Sequence, residues 1–126
     1  MSTNGVYIYD AARTPRGKGM PARDDKPGGS LSDVPAHQLV VGLIDAMQER
    51  TGFTGEQINS LMLGCVGQVN SQGGHIALVS RMASNLPDSV AAQSINNYCV
   101  SGLTAVGNAV ASAHMHDRAL STFSSS

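Results

Sequence analysis

The 126-residue sequence predicts the α/β class, with a mixed, mostly parallel sheet flanked by helices. Two observations carry this expectation. Short apolar segments bounded by turn residues alternate with longer segments of helical period, as strand–helix–strand crossovers require. The run Leu61-Met62-Leu63-Gly64-Cys65-Val66 is apolar without alternation, the pattern of a strand covered on both faces.

Taken in order, Val6-Tyr7-Ile8-Tyr9 is β-branched and aromatic and predicts a first strand. Residues 13–31 hold Pro15, Pro21 and Pro27 among four glycines and predict a loop. A helix is predicted over residues 35–50, with Ser32 or Asp33 as its cap and Pro35 in its first turn. Leu39, Leu43, Ala46 and Met47 give that helix one apolar face, and Gly52 stops it. Residues 58–66 are the second strand. A second helix is predicted over residues 74–86, with Ile76, Val79, Met82 and Ala83 turned to the core. Residues 90–95 read as a third strand, Asn96-Asn97-Tyr98 as a tight turn, and residues 99–115 as a third helix. That helix is small or apolar nearly all round, so burial on most sides is expected. Residues 1–116 therefore read as one partial domain. Residues 117–126 read as a polar tail, rich in serine, with no strand of useful length.

Composition narrows the partners. A formal net charge of −1 gives no electrostatic reason to bind nucleic acid or an anionic membrane. Charged residues make up 13% of the chain, against a typical quarter or so. So little charge suggests more covered surface than one small domain provides, and a homo-oligomer or a covering partner is expected. The uncharged stretch over residues 89–116 is interrupted by Gln93, Asn96, Asn97, Ser101 and Asn108, which makes it too polar to span a bilayer. Cys65 and Cys99 form no disulfide framework, and the first five residues lack the blocks of a signal peptide. Reduced thiols and a cytoplasmic location are expected.

The chemistry lies where the third strand turns into the third helix. A cysteine there, Cys99, meets unpaired backbone N–H groups and the positive end of the helix dipole, both of which favour a thiolate. Gly102 and Ala105 leave room for close approach. On the residues alone two readings stay open, a nucleophile for covalent catalysis or a small buried apolar side chain.

The run Ile95-Asn96-Asn97-Tyr98-Cys99-Val100-Ser101-Gly102-Leu103 resembles the nucleophile motif of thiolases, I-N-x-x-C-x-S-G. Asp10-Ala11-Ala12-Arg13-Thr14-Pro15 is similar to the A-x-R-T-P that ends that family's first strand, and Gly28-Gly29-Ser30-Leu31 to the G-G-S-L before its first helix. Gly64 to Gly67 matches a glycine-containing strand exit more weakly, and Val100 is bulkier than the residue common there. The resemblance spans residues 4–116. It implies a thiolase-like fold with strands ordered 3-2-1-4-5, and acyl transfer between acyl-CoA thioesters through an acyl intermediate on Cys99. Coenzyme A thioesters are then substrates, with no separate cofactor, and the expected partners are acyl-CoA and coenzyme A, with homo-oligomers or pairing with thiolase subunits.

The resemblance also implies a histidine base, a second cysteine for the α-proton and an Asn-bound water, in patterns resembling G-H-P, C-x-G and N-E-A-F. None of these patterns occurs in the sequence, and Arg118 to Phe123 does not fit the strand A-G-G-x-E-S-M-S expected after the third helix. An incomplete first half-domain, inactive alone and unstable as a monomer, is the resulting expectation. An interaction module pairing with thiolase subunits and a thiol redox or sensing protein are the alternatives. His114 stands roughly 22 Å along the third helix from Cys99, too far for a hydrogen bond. His37, His75, His114 and His116 are expected to be structural or solvated, with no metal site. Cys65 is expected in the core. Arg13, Arg16, Lys18, Arg23 and Lys26, interleaved with Asp24 and Asp25, are expected to form a solvated loop face.

Overall fold

The computed structural model describes residues 5–115 and 121–124 of the chain. Helix α1 (Ala36–Thr51) opens the regular structure. Its stop is the expected one: Gly52 adopts a left-handed φ of 73°, which glycine takes without a Cβ penalty, and its N–H donates to Gln48 O. Its start differs. Pro35 is the cap residue and no side chain caps the helix, so neither Ser32 nor Asp33 performs that role. The buried face is also rotated from the expected one, with Val40 and Ile44 at its centre and Leu43 and Met47 at its flank.

Strand β1 (Ser60–Gly64) follows, with all five residues buried. Helix α2 (Ile76–Ala83) and strand β2 (Ala91–Ile95) complete a parallel crossover, β1 and β2 pairing from Ser60↔Ala91 to Gly64↔Ile95. Helix α3 (Ser101–Met115) then leads to strand β3 (Ser121–Ser124), parallel to β1 on its other edge. The sheet order is β2-β1-β3. Between its first and second crossovers the chain reverses direction across the sheet. Right-handed connections then require the two helices to lie on opposite faces, and the core divides accordingly. Leu61 and Leu63 point toward Val40, Ile44, Ile76 and Ala77 of α1 and α2, while Met62 meets Ala105 and Ala109 of α3. Burying each such leucine contributes about 1.5–3 kcal/mol.

Four further expectations are corrected. Residues 6–9 form no strand: Tyr7, Ile8 and Tyr9 are exposed in an irregular arm, and Asp10 is tied to the end of α1 by an Arg50 Nη2–Asp10 Oδ1 ion pair of 2.8 Å. High β propensity needs a free edge to express itself, and on one side of β1 that edge is taken. It is taken by β3, from the tail in which no strand was expected; residues 117–120 and 125–126 of that tail lie outside the described residues. Finally, α3 buries one stripe only, Ser101, Ala105 and Ala109, and leaves Leu103 73% exposed. In α2 the buried residues are Ile76, Ala77 and Ser80, whereas Val79 and Met82 face outward. Both helices lie close against the sheet, and close approach selects small side chains over large ones. Among the described residues no helix is long and apolar enough to cross a membrane.

Candidate functional site

Parallel pairing brings the carboxyl ends of β1 and β2 side by side, Gly64 opposite Ile95. In α/β sheets this end is where the loops that carry chemistry gather. The ladder extends one bond further, Cys65 N–H donating to Ile95 O at 2.9 Å. Beyond it the chain turns through residues 96–100 into α3, and Cys99 lies in that turn, exposed to solvent. The helix begins at Ser101, two residues later than expected.

The turn is closed by its own polar groups. Tyr98 N–H donates to Asn96 Oδ1 at 3.0 Å, and Asn96 Nδ2 reaches back to Val66 O at 3.4 Å. Ser101 Oγ is the central staple: it accepts Asn97 N–H at 2.9 Å and donates to Tyr98 O at 2.6 Å. Asn97 Nδ2 donates to Thr104 Oγ1, whose hydroxyl in turn donates to Val100 O, both at 2.9 Å. Backbone bonds from Val100 N–H to Asn97 O and from Ser101 N–H to Tyr98 O tighten the entry to the helix. Together these bonds hold Tyr98 at φ 49°, a left-handed conformation unfavourable for a bulky residue. Strain of this kind persists only where the surroundings over-determine it, and it gathers at functional sites.

Below the turn, Gly64 allows a close approach. A Cβ placed there meets Ser101 C and O at 2.5 Å and Gly102 N at 2.7 Å. The end of β1 is thus in backbone contact with the first turn of α3.

The two cysteines differ sharply. Cys65 is 1% exposed, belongs to the core and donates its thiol to Gln72 Oε1 at 3.2 Å. Cys99 is exposed, and among the described residues its thiol has no hydrogen-bond partner. The alternative of a small buried apolar residue therefore fits Cys65 and not Cys99. His75 caps α2: its Nδ1 accepts Leu78 N–H at 3.2 Å and lies 2.9 Å from Ser94 Oγ, which accepts Ala77 N–H. His114 lies in the last turn of α3, and His116 is outside the described residues. Among the described residues no three His, Cys, Asp or Glu side chains cluster to hold a metal. A cavity of about 210 Å³ lies in the amino-terminal loop, lined by Gly17, Lys18, Gly19, Met20, Leu31 and Ser32. None of these residues belongs to the Cys99 turn.

The sequence model described as "Thiolase, N-terminal domain" matches residues 6–119, nearly the whole chain. The chain belongs to the thiolase family. Its curated relatives agree. A β-ketoadipyl-CoA thiolase of Pseudomonas knackmussii is 36% identical over 105 residues, 82% of this chain and 24% of that protein. An acetyl-CoA acetyltransferase of Cupriavidus necator is 39% identical over 101 residues, covering 80% of this chain and 23% of that protein. A probable acetyl-CoA acyltransferase of Staphylococcus aureus is 37% identical over 79 residues. The thiolase chain described here spans about a quarter of the length of these relatives.

The polar staples of the thiolase turn were only partly visible in the sequence. Asn97 and Ser101 stand four apart within the motif, the spacing of a turn feeding a helix. The contact between Gly64 and Ser101 joins residues far apart in the chain and left no local signal.

Proposed function

We propose that this chain carries the acyl-accepting half of a thiolase site, with Cys99 as the nucleophile and coenzyme A thioesters as its substrates. The observation that supports this most directly is the exposure of Cys99 at the carboxyl end of a parallel sheet, in a turn built by four neighbouring polar side chains. The Cys99 thiolate attacks the acyl carbonyl carbon of an acyl-CoA or 3-ketoacyl-CoA. A bond forms between Sγ and that carbon, the thioester carbon of an acyl-CoA or C3 of a 3-ketoacyl-CoA; the bond that breaks is the one to the coenzyme A sulfur in the first case and C2–C3 in the second. The leaving coenzyme A thiolate, or the C2 carbanion of the released acetyl-CoA, takes up the proton that the Cys99 thiol gave up. One thioester replaces another in the acyl-CoA case, so the exchange is nearly isoenergetic, which suits sulfur better than a serine oxygen. The Cys99 backbone N–H is the candidate donor to the developing oxyanion.

Among the described residues no histidine is hydrogen-bonded to Cys99. The chain's own chemistry is accordingly acylation without turnover. Intact-mass spectrometry after incubation with acetyl-CoA and with acetoacetyl-CoA tests this. The expected result is an acetyl adduct on the wild type that Cys99→Ala abolishes. A folded wild type that stays unmodified with both donors rejects the reading.

A further inference from the structure

We propose that Gly64 and Ser101 are positioning residues for Cys99: the bare end of β1 seats the first turn of α3, and the Ser101 hydroxyl carries that seating to the turn. The proposal rests on the reading of Cys99 as acyl acceptor. Its geometric basis is independent of that reading. Gly64 stands within β1 in ordinary strand conformation, so alanine is acceptable to its backbone and only space forbids it. The forbidding atoms are backbone, Ser101 C and O at 2.5 Å and Gly102 N at 2.7 Å, well inside the 3.4 Å where ordinary contact begins. No side-chain rotation relieves such a contact. One of the two elements must move.

β1 is the central strand, paired on both edges, with Leu61 and Leu63 at 0% exposure. α3 rests on the sheet through small residues and has an exposed outer side. It is α3 that yields, by about 1 Å, the gap between the built contact and an ordinary one. Ser101, itself 2% exposed, passes this shift on because its Oγ is bonded to Asn97 N and Tyr98 O on the near side of Cys99. The second mooring of the turn, Asn96 to Val66 O, starts from the same exit of β1. The thiol thus stands where β1 puts it.

The test uses the full chain with Gly64→Ala and Ser101→Ala, and two controls. Gly67→Ala adds a Cβ where the nearest atom is 3.8 Å away, and Ile44→Val loosens the core remote from the turn. Two readouts are taken below each variant's melting temperature. The first is the rate of Cys99 acylation by acetoacetyl-CoA, set against alkylation by iodoacetamide. The small alkylating reagent reads access to the thiol, and the acyl donor reads its aim. Acylation is expected to fall roughly tenfold or more in Gly64→Ala and Ser101→Ala, since a displacement near 1 Å costs up to about 100-fold. Alkylation is expected to stay within about twofold. The controls are expected to change neither. The second readout is amide exchange at Val100 and Ser101, which is expected to quicken in both test variants and in neither control. Should the wild type accept no acyl group, the acyl reading fails and amide exchange alone judges the positioning. Should Gly64→Ala fail to fold, Ser101→Ala decides. Unchanged exchange in the deciding variant, or an equal loss of acylation in Ile44→Val, overturns the proposal.

Discussion

Tyr98 is the residue at which the site's local physics can be measured without any substrate. Its φ of 49° carries a penalty of about 1–2 kcal/mol for an L residue with a Cβ. Glycine removes that penalty but adds about 0.5–1 kcal/mol of unfolded-chain entropy. Tyr98→Gly is therefore expected to be as stable as the wild type or more stable by up to about 1.5 kcal/mol. A β-branched side chain tolerates the left-handed region worst, so Tyr98→Val is expected to cost about 1–2 kcal/mol. Urea denaturation of the pair checks this, and equal stability of the two variants contradicts it. The local stiffness has a chemical use. Each backbone group that flanks Cys99 is committed, Tyr98 O to Ser101 and Val100 N to Asn97 O, so the turn has few alternative shapes. The pattern of residues 95–103 made this site legible, because a turn, a nucleophile and a helix start are all local features. Exposure was not local information; the structure supplies it, with Cys99 exposed and Cys65 buried as their places in the sequence led one to expect.

Among the elements, α2 holds the clearest departure from good packing. Ser80 is fully buried, and among the described residues its Oγ has no hydrogen-bond partner. A buried unpaired hydroxyl costs about 1–3 kcal/mol, and alanine is also the better helix former. Ser80→Ala is expected to stabilise the chain by about 1–2 kcal/mol, read as a raised denaturation midpoint. A loss of stability would mean that the hydroxyl has a partner in solution. The same helix explains a failure of sequence reading. Val79 and Met82 looked like part of the core face with Ile76, yet Ile76, Ala77 and Ser80 are buried while Val79 and Met82 are exposed. Periodicity identifies a helix well, but here the tight seat on α1 and the sheet takes small residues beside Ile76 and turns Val79 and Met82 outward. α1 shows a milder version, its buried face shifted to Val40 and Ile44. By contrast β1 and the Gly52 stop were legible, because a continuous apolar run or a left-handed glycine depends little on partners. The strand expected at residues 6–9 and the strand found at Ser121–Ser124 show the opposite case. Which of two segments occupies an edge is a competition across the whole chain, invisible in either segment alone.

At the scale of the molecule, the surface is too large for the mass. A compact monomer of 13.0 kDa exposes about 6,300 Å² by the usual scaling. The chain exposes 8554 Å², an excess of roughly a third. Much of what it exposes is apolar: Tyr7, Ile8 and Tyr9 on the arm, Leu103 and Met115 on α3, Met82 on α2. With only 13% charged residues, little repulsion opposes association. An excess near 2,000 Å² is also the size of surface that stable interfaces bury. The isolated chain is therefore expected to self-associate, with sedimentation that shifts to larger species as concentration rises. Its thermal transition is expected to be broad and to move upward with concentration, since association stabilises the folded form by mass action. Leu103→Lys, which places a charge on the exposed side of α3 without touching the buried stripe of Ser101, Ala105 and Ala109, should weaken that association. A single monomeric species at every concentration, melting sharply at one temperature, would show instead that the chain closes its own surface in solution.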